Sequence, residues 1–212
     1  MTALPAQLAA DRLVEVAFRR AMDEAARALG ALSGEIVTIT EPEIRRGSAA
    51  DILALAGGPE QVVLAVYAGI AGALDGHALL ILPPDDAHRL AAILLLGLLG
   101  PGELPIVRGG PFEFDELETS ALQEAGNVTI SAFLNELGRG LAAPVQPTVP
   151  QVVVEMAGAV LDAVLSDLLA DRDDLLASRT TFVAGARRVE GTLLVLPRAG
   201  SLDVLLASIS GA

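Results

Sequence analysis

GHALLILPPDDAHRLAAILLLG, Gly76 to Gly97, and GTLLVLPRAGSLDVLLASISG, Gly191 to Gly211, follow one plan. Each opens on a small residue, runs through five apolar positions into a proline, turns, and continues as an amphipathic stretch. The two prolines, Pro83 and Pro197, are 114 residues apart. Upstream of each lies another extended candidate, QVVLAVYAGIAG from Gln61 and RTTFVAGARR from Arg179. β-Branched and aromatic residues with ALDG and RVEG between the runs predict a hairpin in both places. Further upstream, helical periodicity covers about 11–32 and about 115–141, and a proline follows each, Pro42 and Pro150, 108 residues apart. Near-constant offsets of this kind indicate internal duplication.

Seven of the twelve residues in GPGELPIVRGGP, Gly100 to Pro111, are Gly or Pro. That composition predicts a connection between repeats. The expectation is one domain over 1–212, with repeat 1 at about 8–100, the connection at 100–111 and repeat 2 at about 112–212. The hairpin turns are too short for parallel crossovers. The expected fold is therefore α/β, with long helices packed on a mostly antiparallel sheet around a pseudo-two-fold axis.

Composition narrows the function. Of the 212 residues, 52% are apolar but only 3% aromatic, so the core is built from Ala, Val, Leu and Ile. Acidic residues outnumber basic ones 27 to 14, for a net charge of −13. Such a chain is repelled by phosphate backbones and anionic lipid, which argues against nucleic acid as a partner. There is no cysteine, which excludes disulfides, thiolate nucleophiles and Cys-ligated zinc. The only histidines, His77 and His88, show no metal-ligand spacing. His88 is expected to cap its helix or face solvent, and no metal site is expected. The opening MTALPAQLAADRLVEV lacks a basic region followed by an apolar run, so no signal peptide is expected. The apolar run Leu90 to Gly100 is too short to span a bilayer, so a buried helix is expected, with no membrane insertion and a cytoplasmic location.

The second long helix contains SALQEAGNVTIS, Ser120 to Ser131. At 100° per residue, Ser120, Glu124, Asn127, Ser131 and Asn135 share one narrow face. The other faces are apolar. Ser and Asn weaken a helix interior, and Gly126 beside Asn127 weakens it further. A solvated face normally carries Lys, Glu, Gln or Arg instead. Shifted by 109 residues, the stripe falls on Asp11, Glu15, Phe18, Met22 and Ala26. The carboxylate is kept and the carboxamide is lost. Pro42 then lies one residue too far along.

Ser120-x3-Glu124-x2-Asn127-x22-Pro150 resembles the signature of the CheC/CheX/FliY phosphatases of bacterial chemotaxis. FDELETSALQEAGNV and PTVPQVVVEMAGAVLDAV resemble CheC in particular, and the tandem repeat agrees. The resemblance implies a phosphatase acting on the aspartyl phosphate of a CheY-type response regulator. It makes Asn127 the residue that orients the attacking water and Glu124 the one that docks the receiver. Ser120, Ser131 and Pro150 border the same face. Asp11, Glu15, Phe18 and Pro42 would form a degenerate first site. Mg2+ is expected on the partner receiver, and this chain binds no cofactor of its own. The alternative is a catalytically weak scaffold of the chemotaxis or flagellar-switch system that binds the receiver or CheD. For CheD, Gln151 to Leu169 is the candidate segment, either as an offered helix or packed internally.

Overall fold

The computed structural model describes residues 3–40, 43–98, 110–168, 175–184, 187–198 and 201. Pro42, most of the 100–111 connection and the stretch after Ser201 lie outside the described residues. The first half supplies α1 (Ala3–Ser33), β1 (Val37–Ile39), β2 (Glu43–Gly47), α2 (Ala49–Leu55), β3 (Val62–Gly72), β4 (Gly76–Leu82) and α3 (Pro84–Leu98). The second half repeats the order with α4 (Glu116–Leu141), β5 (Val145–Pro147), β6 (Gln151–Met156), α5 (Ala157–Leu168), β7 (Leu175–Ala184) and β8 (Arg187–Pro197).

The strands form one eight-stranded sheet in the order β1-β7-β8-β4-β3-β5, with β2 also on β7 and β6 also on β3. Every pairing is antiparallel. The pattern maps onto itself when the halves are exchanged, which is the expected pseudo-two-fold α/β arrangement. The exchange is also a mutual loan. β1 and β2 of the first half pair with β7 of the second, and β5 and β6 of the second pair with β3 of the first. β4 and β8 meet at the centre, from Gly76 opposite Pro197 to Ile81 opposite Thr192.

Both faces of the sheet are covered, so its inner strands are nearly continuous apolar runs rather than alternating ones. Leu64, Val66, Ala68, Leu80, Leu82, Leu193 and Val195 face a core shared with α1, α3 and α4. Val63, Ala65, Leu79, Ile81, Leu194 and Leu196 face a second core under α2 and α5. From the Leu90 run, Leu90, Ala91, Ile93, Leu94 and Leu95 are buried in α3 as expected, and its last two residues lie outside the described residues. Among the described residues, no helix is long and apolar enough to cross a membrane.

Three expectations need correction. RVEG is not a turn: it lies inside β8, whose first residue, Arg187, pairs with Ala184 at the end of β7. Gly191 was misleading because it marks close packing, where a Cβ would stand 3.1 Å from Leu82. Gln151 to Leu169 is not one apolar helix. Its Val-rich first third is edge-side strand β6 and Ala157–Leu168 is α5, packed internally on the sheet, while Leu169 lies outside the described residues. His88 does not face solvent. Its ring stacks on Phe114 at 4.1 Å, and its Nδ1 lies 3.1 Å from Glu118 Oε1.

Helix α4 approaches β3 closely at Gly126, where an added Cβ would stand 2.4 Å from Val66 Cγ1. Gly126→Ala is therefore expected to destabilise the fold by about 1–3 kcal/mol. Val66→Ala in the same chain is expected to recover part of that loss. Urea unfolding of the single and double variants measures both, and a Gly126→Ala protein as stable as the parent would show that α4 has room to spare.

Candidate functional site

α4 starts at a capping box. Asp115 accepts from the Glu118 backbone N–H at 2.8 Å, and Glu118 Oε2 accepts from the Asp115 N–H at 3.1 Å. The other Glu118 oxygen takes the His88 contact, so α3 is fastened to the first turn of α4. The buried side of α4 then runs through Leu122, Ala125, Gly126, Ile130, Phe133 and Leu137. With that side fixed against β3 and α1, the opposite face points outward.

That face carries the predicted stripe. Ser120, Glu124 and Asn135 are exposed, and Asn127 and Ser131 are half-buried. Ser120 Oγ donates to its own helix, at Glu116 O, 2.7 Å away. Among the described residues, neither Glu124 nor Asn127 has a side-chain hydrogen bond or ion pair. Three other acidic residues of the two long helices are engaged: Glu15 with Arg19, Glu24 with Arg27 and Glu136 with Arg139. Glu124 and Asn127 thus present a carboxylate and a carboxamide one helical turn apart, both open to an incoming molecule.

Pro150 is brought to the same place. It is buried, and its carbonyl accepts from Gln123 Nε2 at 2.9 Å. Gln123 directly precedes Glu124. No periodicity could have singled it out, because its partner lies 27 residues away. Asp115-x-x-Glu118, by contrast, is a legible capping pattern.

The expected first site requires a correction of register. Phe18 is 0% exposed and meets Phe133 edge-to-face at 5.0 Å. Met22 and Ala26 are buried as well. The two helices superpose at a spacing of 108 residues, not 109. Gly30 and Gly138 make the same close approach to the returning chain, with an added Cβ 2.9 Å from Glu35 O and 2.8 Å from Ala143 O. Burial agrees: Ala21, Met22, Ala25, Ala26 and Leu29 match Thr129, Ile130, Phe133, Leu134 and Leu137. At this spacing Pro42 aligns with Pro150, and Phe18 aligns with Gly126. Glu124 then corresponds to Val16, and Asn127 to Arg19. Glu15 pairs with Arg19 at 3.5 Å, and the Asp11 side chain lies outside the described residues. The first half therefore carries neither the carboxylate nor the carboxamide at the equivalent positions.

Among the described residues, no group of three or more His, Cys, Asp or Glu could hold a metal ion.

No family model matches the chain. A curated relative, the CheY-P phosphatase CheC of Bacillus subtilis, is 29% identical over 112 residues. That match covers 53% of this chain and 50% of the relative, so the likeness spans about half the length of each. The crystal structure of Thermotoga maritima FliY matches with a TM-score of 0.69 at 18% identity, over 90% of both chains. A chain of the FliM–SpeE complex from H. pylori matches at 0.62 and 16% identity, over 92% of both. A chain of the CheX–CheY–BeF3–Mg2+ complex from Borrelia burgdorferi matches at 0.50 and 14% identity, over 85% of this chain and 97% of that one. At these identities the structural likeness is one of fold.

The outward presentation of the stripe depends on α4 being started in register. Removing the cap with Asp115→Ala is expected to cost about 1 kcal/mol of stability. Thermal unfolding beside the parent chain checks this; an unchanged midpoint would mean that the cap contributes nothing.

Proposed function

We propose that this chain, a member of the CheC/CheX/FliY family, is a phosphatase that hydrolyses the aspartyl phosphate of a CheY-type receiver at one site, on α4. The observation that carries the reading is the pair of exposed Glu124 and half-buried Asn127. Their polar groups are unengaged, while the back of the helix that bears them is fixed to the sheet.

An acyl phosphate is already reactive, so its hydrolysis depends on an in-line water and on charge stabilisation more than on a strong base. Water attacks phosphorus opposite the bond to the receiver's aspartyl oxygen. That bond breaks, the carboxylate leaves with the electron pair, and inorganic phosphate is released. The Asn127 carboxamide suits this task because its Oδ1 can accept from the water while its Nδ2 donates to a phosphoryl oxygen. Glu124 sits one turn earlier and is exposed, in keeping with pairing to a basic group on the receiver such as its active-site lysine. The receiver is expected to bring its own Mg2+, which would neutralise phosphoryl charge. In the first half, Val16 and Arg19 stand where Glu124 and Asn127 would be needed, so catalysis is assigned to the second half alone.

The likeness to FliY and FliM favours a second reading, a scaffold of the chemotaxis or flagellar-switch system that binds the receiver or CheD without turnover. One assay separates the two: decay of a phosphorylated CheY-type receiver with and without the protein. The phosphatase reading expects the parent chain to accelerate decay and Asn127→Ala to lose about a hundredfold or more of that acceleration. Glu124→Ala is expected to weaken receiver binding about three- to tenfold. Arg19→Ala and Glu15→Ala are expected to leave the rate unchanged. A parent chain that binds several receivers yet leaves their decay unaltered would put the protein among the scaffolds.

A further inference from the structure

The segment between β5 and β6 runs into the pairing of Gln151 with Tyr67 and has two further anchors. Thr148 ties it to the sheet, its N–H donating to Gly69 O at 2.8 Å and its Oγ1 accepting from the Gly69 N–H at 2.9 Å. Gln123 ties it to the helix through Pro150 O at 2.9 Å. Between the two anchored residues stands Val149, 81% exposed, one of the most exposed large apolar side chains among the described residues. At the other end of the stripe, Leu117 lies two turns before Glu124 on the same helical face and is 54% exposed. One apolar side chain in solvent thus stands on α4, in line with the polar pair, and another on the segment that Gln123 ties to α4.

We propose that Gln123 is a positioning residue for receiver docking. By holding the Pro150 carbonyl it sets where Val149 stands relative to Glu124 and Asn127, so that helix and segment meet the receiver as one surface. This inference rests on the receiver-directed reading of the stripe. Gln123 does not touch the reacting atoms. Its amide is committed to Pro150, and its neighbour Glu124 carries the docking charge. The Thr148 anchor and the pairing of Gln151 with Tyr67 are independent of it, so loss of the strut removes the tie between segment and helix without detaching the segment from β3. The bond also explains a helical glutamine whose side chain turns toward the sheet-side segment instead of solvent.

The test uses the full chain and a CheY-type receiver, either phosphorylated or loaded with BeF3 and Mg2+. Gln123→Met keeps the length and helix preference of the side chain and removes the donor. It is expected to raise the Kd for the BeF3-loaded receiver, and the KM for dephosphorylation, about three- to tenfold, with kcat little changed. Val149→Ser is expected to raise Kd to a similar degree. The two changes together are expected to cost less than the product of their separate effects, because both act through the placement of one segment. A Gln123→Met protein that folds and binds the receiver with the parent's Kd would overturn the inference and leave the hydrogen bond a purely structural one. So would additive effects in the double variant. A parent chain that binds the BeF3-loaded receiver but does not accelerate decay removes the phosphatase reading alone, and the Kd comparison still decides the role of Gln123. A parent chain that binds no receiver removes both.

Discussion

The contact between Gly126 and Val66 governs the geometry of everything on the exposed side of α4. No Cβ fits there, because the helix axis lies too close to β3. A helix pressed onto a strand at one point has its rotation about its own axis fixed at that point. Asn127, the next residue, is carried 100° away from the contact and emerges half-buried at the edge of the packed surface. Glu124, two residues before the contact, falls on the outer side. Gly126 is a poor helix former, but it is what lets the layer approach that orients the site.

The first half solves the same packing problem with its larger residue on the helix instead of the strand. Val66 pairs with Val152, and Ser178 pairs with Ile44, which puts Val66 and Ser178 at equivalent register positions. Where the second-half helix offers Gly126 to a strand valine, the first-half helix carries Phe18 and the equivalent strand position is a fully buried serine. The large residue moves from sheet to helix, and the small strand residue leaves space beneath the Phe18 ring that a valine would fill. Phe18 then meets Phe133 across the pseudo-two-fold axis. With so few aromatic residues in the chain, placing two of them at the contact between α1 and α4 concentrates a large share of the aromatic packing where the halves join.

The strand loan between halves gives this junction a further consequence. β3 pairs with β5 and β6, so the strand that presses on α4 also organises the segment bearing Pro150. The stripe and that segment are linked through β3 from below and through Gln123 from the side. A first-half strand therefore scaffolds a second-half site. Divergence of the first half at Val16 and Arg19 leaves that scaffolding intact, since those positions are on the outer face of α1 and β3 is untouched.

The repeated strand–proline–helix plan, the two long helices and the stripe of Ser120, Glu124, Asn127 and Ser131 were legible in the sequence, because each rests on local periodicity. Pattern also sufficed for the α/β class and the antiparallel hairpins. Tertiary structure decided the rest. Whether α1 matches α4 at 108 or 109 residues cannot be read from residue type alone, since either spacing leaves an acidic residue near the expected place. Burial, and the shared close approach of Gly30 and Gly138, fixed the spacing at the 108 residues that also separate Pro42 from Pro150, and moved Phe18 from the stripe into the core. Gly191 reads as a turn in sequence and is a packing glycine in the sheet. His88 and Glu118 meet only because α3 folds back on the start of α4. Gln123 finds Pro150 only because β6 pairs with β3 beneath the helix. A linear pattern records which face of an element is apolar; which residues from distant elements meet is set by how those faces are pressed together.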